Sequence, residues 1–260
     1  MTKYLIVANW KMNPLTLNDA EELFGDLTHR IRELKIKKSQ WPEIVICPPF
    51  LYLESLKKRG DAVFSLGAQN FFWEERGSYT GEISSSMLKK MGCRYVIIGH
   101  SERRRYLKET DAMINKKVLA SIARGLHVVF CVGEKKDEHL ERILARQLER
   151  GLKKFPREKK NLLTIAYEPV WAIGTGNACK PENAYVAKMM IKKIIARMFN
   201  RSFAKELRII YGGSVESANV GAYISEARMQ GFIVGHESLD AKEFAGIVKS
   251  TAAVLPLRIR

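Results

Sequence analysis

Asn161-Leu162-Leu163-Thr164-Ile165-Ala166-Tyr167-Glu168-Pro169-Val170-Trp171-Ala172-Ile173-Gly174-Thr175-Gly176 is the stretch from which the fold can be read. Its first half is an apolar run of strand length, and the carboxylate of Glu168 falls where that strand stops. Pro169 stiffens the start of the segment that follows, and two glycines near its far end leave backbone N–H groups open to close approach. A helical pattern opens at Pro181-Glu182. The unit is strand, functional loop, helix. It fits a general base followed by a lid that closes over an anion; a solvated Glu before an ordinary connecting loop fits as well.

Working outward, the same unit recurs. Apolar, β-branched runs fall at 4–8, 44–47, 63–68, 95–98, 127–132, 162–167, 208–211 and 231–234. Helical patterns near 16–34, 50–58, 84–91, 110–124, 138–152, 181–199, 216–226 and 240–250 alternate with them. Thr16-Leu17-Asn18-Asp19 and Ser238-Leu239-Asp240 carry helix-start chemistry. Short, almost continuously apolar strands separated by helices imply a parallel sheet covered by helices. Eight such units in 260 residues match the count and size of a closed (β/α)8 barrel. An open doubly wound sheet would call for a G-x-G-x-x-G after the first strand, and none is there. No linker, repeat or low-complexity segment divides the chain, so residues 1–260 are expected to form a single barrel domain.

A hydrophobic content of 46% suits a sizeable core, and no apolar run approaches the roughly 18 residues of a membrane span. Met1-Thr2-Lys3 leads into a short apolar run without a cleavage site, which argues against a signal peptide. Cys47, Cys93, Cys131 and Cys179 are far apart, without C-x-x-C or a paired His, so a reducing, cytoplasmic compartment is expected and no metal. Cys179, where the loop rejoins its helix, is expected to be the most exposed of the four thiols. The net charge of +16 is unusual, but the basic residues are dispersed among acidic neighbours. This pattern reads as a solvated basic surface rather than a dedicated nucleic-acid face.

In a closed barrel all strand ends meet at the C-terminal face, where active sites sit. Strand one ends in Asn9-Trp10-Lys11, strand four in Gly99-His100-Ser101-Glu102-Arg103-Arg104, and strand six at Glu168. Strand seven runs into Gly212-Gly213-Ser214 and strand eight into Gly235-His236. Each residue alone has an ordinary explanation: a surface lysine, a satisfied core histidine, a tight turn. Together they bring an amine, an imidazole, a carboxylate and two glycine loops to one mouth.

Four segments, 8–11 (Ala-Asn-Trp-Lys), 98–104 (Ile-Gly-His-Ser-Glu-Arg-Arg), 166–176 and 211–215 (Tyr-Gly-Gly-Ser-Val), resemble the signature stretches of the triosephosphate isomerase family in order and spacing. The resemblance covers the whole chain. It implies a TIM barrel that interconverts dihydroxyacetone phosphate and glyceraldehyde 3-phosphate through an enediolate, a step of glycolysis and gluconeogenesis, with no cofactor or metal. By the same resemblance Glu168 is the base, and His100 a neutral donor to the developing oxyanion. Lys11 and Asn9 are further groups on the substrate, and Glu102 is the partner of Lys11.

The phosphate would lie against Gly174, Ser214, Gly235 and His236, with Asn9 and Lys11 nearby. Pro169, Val170, Trp171, Ala172, Ile173, Gly174, Thr175 and Gly176 would form the lid. Gln69-Asn70 through Glu82 resembles the family's long third loop, and implies a homodimer in which Thr80 approaches the neighbouring subunit's site. Two features depart from the family pattern: Gly235-His236-Glu237 where Gly-Gly is usual, and the lid's trailing Asn177-Ala178-Cys179. Both bear on phosphate affinity and loop motion rather than on proton transfer. The other readings compatible with the sequence are a phosphosugar isomerase or epimerase for a larger sugar, and a basic nucleic-acid or surface-binding protein.

Overall fold

Eight short strands occupy the centre of the chain's computed structural model, which describes residues 3–60, 62–173 and 178–254, the side chain of Lys38 excepted. They are β1 (Leu5–Asn9), β2 (Glu43–Cys47), β3 (Phe64–Ala68), β4 (Tyr95–Ile98), β5 (His127–Val132), β6 (Leu163–Tyr167), β7 (Arg208–Tyr211) and β8 (Gly231–Val234). Each pairs in parallel with the next, and β8 pairs with β1, so the sheet closes. Around it run α1 (Leu17–Arg32), α2 (Leu53–Arg59), α3 (Ser85–Lys90), α4 (Ser101–Tyr106) and α5 (Asp111–Ala123). The ring is completed by α6 (Leu140–Gly151), α7 (Pro181–Met198), α8 (Arg201–Glu206), α9 (Val220–Ser225) and α10 (Ala241–Ala253). The expected closed (β/α)8 barrel is the observed one.

The strands are largely apolar because most of their residues are buried on both faces. Leu5, Val7, Val45, Cys47, Ile97 and Val129 fill the interior of the barrel, while their sequence neighbours Ile6, Ala8, Ile44, Ile46, Val96, Ile98 and Val128 pack outward under the helices. This is the two-residue period of a strand, hidden because neither phase is polar. Gly67 belongs to the inner phase, where a Cβ would stand 2.6 Å from Cys47 Sγ, so the interior is full without it.

Helix starts follow the sequence. Thr16 Oγ1 accepts from the N–H of Asp19 at 3.2 Å, and Asp240 Oδ1 accepts from Lys242 and Glu243. Such caps are worth about 1 kcal/mol each. Two short helices, α4 and α8, fall outside the helical patterns read from periodicity, although the family resemblance implies a helix start at His100. The α4 sequence Ser-Glu-Arg-Arg-Arg-Tyr has no apolar stripe, so periodicity could not show it. Among the described residues no helix is long and apolar enough to cross a membrane.

Candidate active site

The C-terminal mouth of the barrel holds a cavity of about 260 Å³ lined by Asn9, Lys11, His100, Glu168, Ile173, residues 212–216, Ile233 and residues 235–237. Of the residues expected here, Asn9, Lys11, His100, Glu168, Ser214, Gly235 and His236 line that space together. Glu102 lies behind it as the partner of Lys11. Gly174, Thr175 and Gly176 lie outside the described residues.

Lys11 follows β1 with φ of 53°, a left-handed backbone that costs a non-glycine residue about 1–2 kcal/mol. Three contacts hold it there. Its N–H donates to Asn9 Oδ1 at 3.2 Å, its carbonyl accepts from Gln69 Nε2 at 2.7 Å, and its Nζ reaches Glu102 Oε1 at 2.6 Å. The strained turn brings the ammonium back across the mouth to α4, with its Cε beside Gly235.

His100 precedes α4, and its Nδ1 accepts from the N–H of Glu102 at 3.3 Å. A ring nitrogen that accepts carries no proton, so the imidazole is the neutral Nε2–H tautomer, assigned from that hydrogen bond. Nε2 stands 3.5 Å from Glu168 Oε1. The Glu168 carboxylate is buried; Oε2 accepts from the N–H of Ser101 at 3.2 Å, while Oε1 has no hydrogen-bond partner. An unpaired buried carboxylate oxygen is costly in a resting structure and is the atom free to act on a substrate.

Beyond Glu168 the chain runs through Pro169 into a short 3₁₀ turn (Val170–Ala172). Val170 N–H donates to the carbonyl of Glu134 at 2.9 Å, and Trp171 Nε1 donates to Glu134 Oε1 at 2.9 Å. Tyr167 hydroxyl donates to the same carboxylate, and burial pushes the Glu134 carboxyl above its ordinary range. Across the mouth Ser214 Oγ donates to the carbonyl of Ala172 at 2.9 Å. At the trailing end Cys179 N–H donates to the Tyr211 hydroxyl at 3.2 Å.

Cys179 corrects the expectation from sequence. It is 1% exposed beneath Tyr211 and Tyr223, and burial pushes its thiol up to about 12. The other three cysteines are buried and free as well.

Reasoning from sequence also missed the supports. Gly133, at the end of β5, sits where a Cβ would fall 1.8 Å from the Glu168 carbonyl oxygen. At Gly212 a Cβ would fall 2.9 Å from Glu168 Cγ. Gln147 of α6 clamps Gly133, accepting from its N–H at 2.8 Å and donating to its carbonyl at 3.0 Å. Gly133 was legible as a glycine at a strand end; Gln147, a polar residue on the apolar face of α6, was the only hint of the clamp.

No described residue accepts from the backbone N–H of Ser214, Gly235 or His236. His236 heads a 3₁₀ turn (His236–Leu239), its side chain exposed, and Glu237 beside it is pushed upward by burial and drawn partly back by His236. Thr80 lies on the exposed loop that leaves the barrel after β3; there Phe72 packs between Trp73 and Tyr79 at 4.1 and 4.5 Å.

A parallel barrel whose C-terminal mouth gathers a buried carboxylate, a neutral imidazole, a fixed ammonium and unpaired loop amides is that of a barrel enzyme working on a small anionic substrate. Residues 4–251 match the family described as Triosephosphate isomerase. The chain is 44% identical over 256 residues to the triosephosphate isomerase of Dictyoglomus thermophilum, covering 96% of this chain and 100% of that one. It is 42% identical to that of Moorella thermoacetica (95% and 98% covered) and 41% identical to that of Caldanaerobacter subterraneus subsp. tengcongensis (95% and 99%). The chain belongs to the triosephosphate isomerase family and is an isomerase.

Proposed function

We propose that this chain interconverts dihydroxyacetone phosphate and D-glyceraldehyde 3-phosphate, with Glu168 moving the proton between the two carbons. The observation that carries this reading is the pairing of a partnerless Glu168 Oε1 with a neutral His100 Nε2–H 3.5 Å away, in one cavity. The carboxylate removes a proton from the carbon next to the carbonyl. The C–H electron pair becomes the enediolate double bond, and the carbonyl oxygen takes up the negative charge. Nε2–H of His100 and Nζ of Lys11 stabilise that oxygen, with the Asn9 amide beside them. The hydroxyl proton on the first carbon moves to the oxygen of the second, and delivery of the carboxylate's proton to that second carbon completes the exchange with no net change of charge. A neutral imidazole at a helix start beside a glutamate base is the arrangement long established for this family.

The phosphate takes the free N–H groups of Ser214, Gly235 and His236, and that of Gly174 when the lid closes. Lid closure keeps water from the enediolate. Asn9 and Lys11 face the other end of the substrate, and Glu102 holds Lys11 in place.

The same reading includes a homodimer. Met12 and Leu15 (88% and 89% exposed) follow Lys11, and Leu51 (84% exposed) precedes Tyr52, whose hydroxyl donates to the Pro14 carbonyl. These side chains join two neighbouring loops into an apolar surface of the kind that a second subunit covers, and the loop bearing Thr80 is long enough to reach across. Four free thiols suit a cytoplasmic enzyme of sugar-phosphate metabolism in residues 1–260 folded as one barrel domain.

The test is a coupled isomerase assay on the purified protein and on Glu168→Asp. Retracting the carboxylate by one methylene is expected to lower kcat by roughly 10²-fold while substrate analogues still bind. A parent without isomerase activity overturns the function, and near-normal turnover in Glu168→Asp rules that residue out as the base.

A further inference from the structure

A second cavity, of about 340 Å³, opens behind the active site between α4, the start of α5, the loop after β5 and α6. It shares no lining residue with the catalytic cavity, and none of the residues given a role in proton transfer lines it. Its rim is cationic: Arg105, Lys135, Arg146 and Arg150 surround it, with Arg104 beneath.

The acidic residues there are already engaged. Arg104 Nη1 binds Asp111 at 2.6 Å, and its Nε donates to the Gly99 carbonyl, so Arg104 is part of the wall. Arg146 reaches the same Asp111 only through Nε at 3.6 Å. Glu138 accepts from the backbone N–H of Lys135. Glu109 turns away to Arg103 and Lys117. Among the described residues Arg105, Lys135 and Arg150 have no carboxylate within ion-pair distance.

Four cations on one concavity repel one another. Arg146 and Arg150 stand four residues apart on α6, where like charges destabilise a helix by a few tenths of a kcal/mol. A concave wall focuses their field, and arginine forks match phosphate oxygens two at a time. One monoanion cannot neutralise such a rim. A volume of this size admits a small molecule and excludes a duplex.

We infer that this cavity is a second anion site, separate from the catalytic one, that takes a compact polyanion of the organic-phosphate class between Arg105, Lys135, Arg146 and Arg150. Its back wall gives it a route to the active site. Ser101, whose N–H holds Glu168, Gly133, which packs against the Glu168 carbonyl, and Val170 of the lid all line it.

The test is calorimetric titration with inorganic pyrophosphate of the parent, of Arg146→Gln/Arg150→Gln, and of Lys242→Gln/Lys249→Gln. The last pair removes the same charge from exposed positions on α10, away from the cavity. The parent is expected to show a site that persists when the catalytic cavity is saturated with a substrate analogue. Its affinity should fall about tenfold or more in the α6 variant and stay unchanged in the α10 variant. Basal kcat/KM and the competitive inhibition constant of pyrophosphate should be the same in all three proteins. Equal affinity in the parent and the α6 variant overturns the site, as does an equal loss in both variants, or complete displacement by the analogue. A single-stranded oligonucleotide that binds more tightly than pyrophosphate and is lost with the same two arginines replaces it with a nucleic-acid surface.

Discussion

Gly133→Ala tests whether the position of Glu168 is set from the neighbouring strand. The added Cβ would stand 1.8 Å from the Glu168 carbonyl oxygen and 2.5 Å from its carbonyl carbon. Relieving the first contact to the roughly 3.0 Å that such atoms tolerate requires about 1.2 Å of movement. Either the loop after β5 moves or the end of β6 does. The loop is pinned, because Gln147, itself buried, binds both the N–H and the carbonyl of Gly133. The displacement therefore falls on Glu168 and on Pro169 behind it.

A misplacement of that size at a reacting group costs about 10²-fold in rate, and the overpacking costs about 1–3 kcal/mol of stability. Steady-state kinetics should show kcat lowered by about two orders of magnitude. KM should change much less, since the loop amides assigned to the phosphate lie on other strands. Thermal unfolding confirms that the variant is folded. Adding Gln147→Ala frees the loop and should recover part of the lost kcat. Gly221→Ala, where nothing lies within 4 Å, should be silent in both assays. A folded Gly133→Ala with kcat within threefold of the parent refutes the reasoning.

Lys188 is buried, with its ammonium on the Arg228 carbonyl, and burial beside Lys192 and Arg228 pulls its pKa from 10.5 down to about 8. The unfolded chain binds more protons between those values, so this group's contribution to stability rises with pH from about 8 to 10.5. Measured against Lys188→Met by denaturant unfolding, the parent should gain at most about 3 kcal/mol over that window; a flat difference refutes it. Cys179 should resist bulky thiol reagents in the native protein and react only after unfolding, since burial holds its pKa near 12; stoichiometric labelling of the folded enzyme contradicts this placement. Deleting residues 72–78 should give monomers with impaired catalysis, read by light scattering and the coupled assay. A fully active monomer of the intact chain removes the shared-site argument for Thr80.

What could be read from the sequence was what is local. Most strands are short runs rich in β-branched residues because both of their faces are buried, and each candidate site side chain lies within a few residues of a strand end, so Lys11, His100 and Glu168 could be placed together once eight strands were counted. The left-handed turn at Lys11 could not be read, because its supports, Gln69 and Glu102, come from the loop after β3 and from α4. Cys179 was misjudged for the same reason. Its position beside the lid suggests an exposed hinge, yet Tyr211 and Tyr223, from β7 and α9, close over it.

Glu134 shows how the missing information enters. In the sequence it is one acidic residue before a charged run, 33 residues from Tyr167 and 37 from Trp171. Barrel closure pairs β5 with β6 in a register that sets Val132 against Tyr167, so the two residues after Val132 meet Glu168 and the segment that follows it. Gly133 then backs Glu168, and Glu134 receives Val170, Trp171 and Tyr167. One register therefore positions both Glu168 and the first turn of the segment after it. A shift of that pairing by a single residue would exchange Gly133 and Glu134 and abolish both arrangements at once.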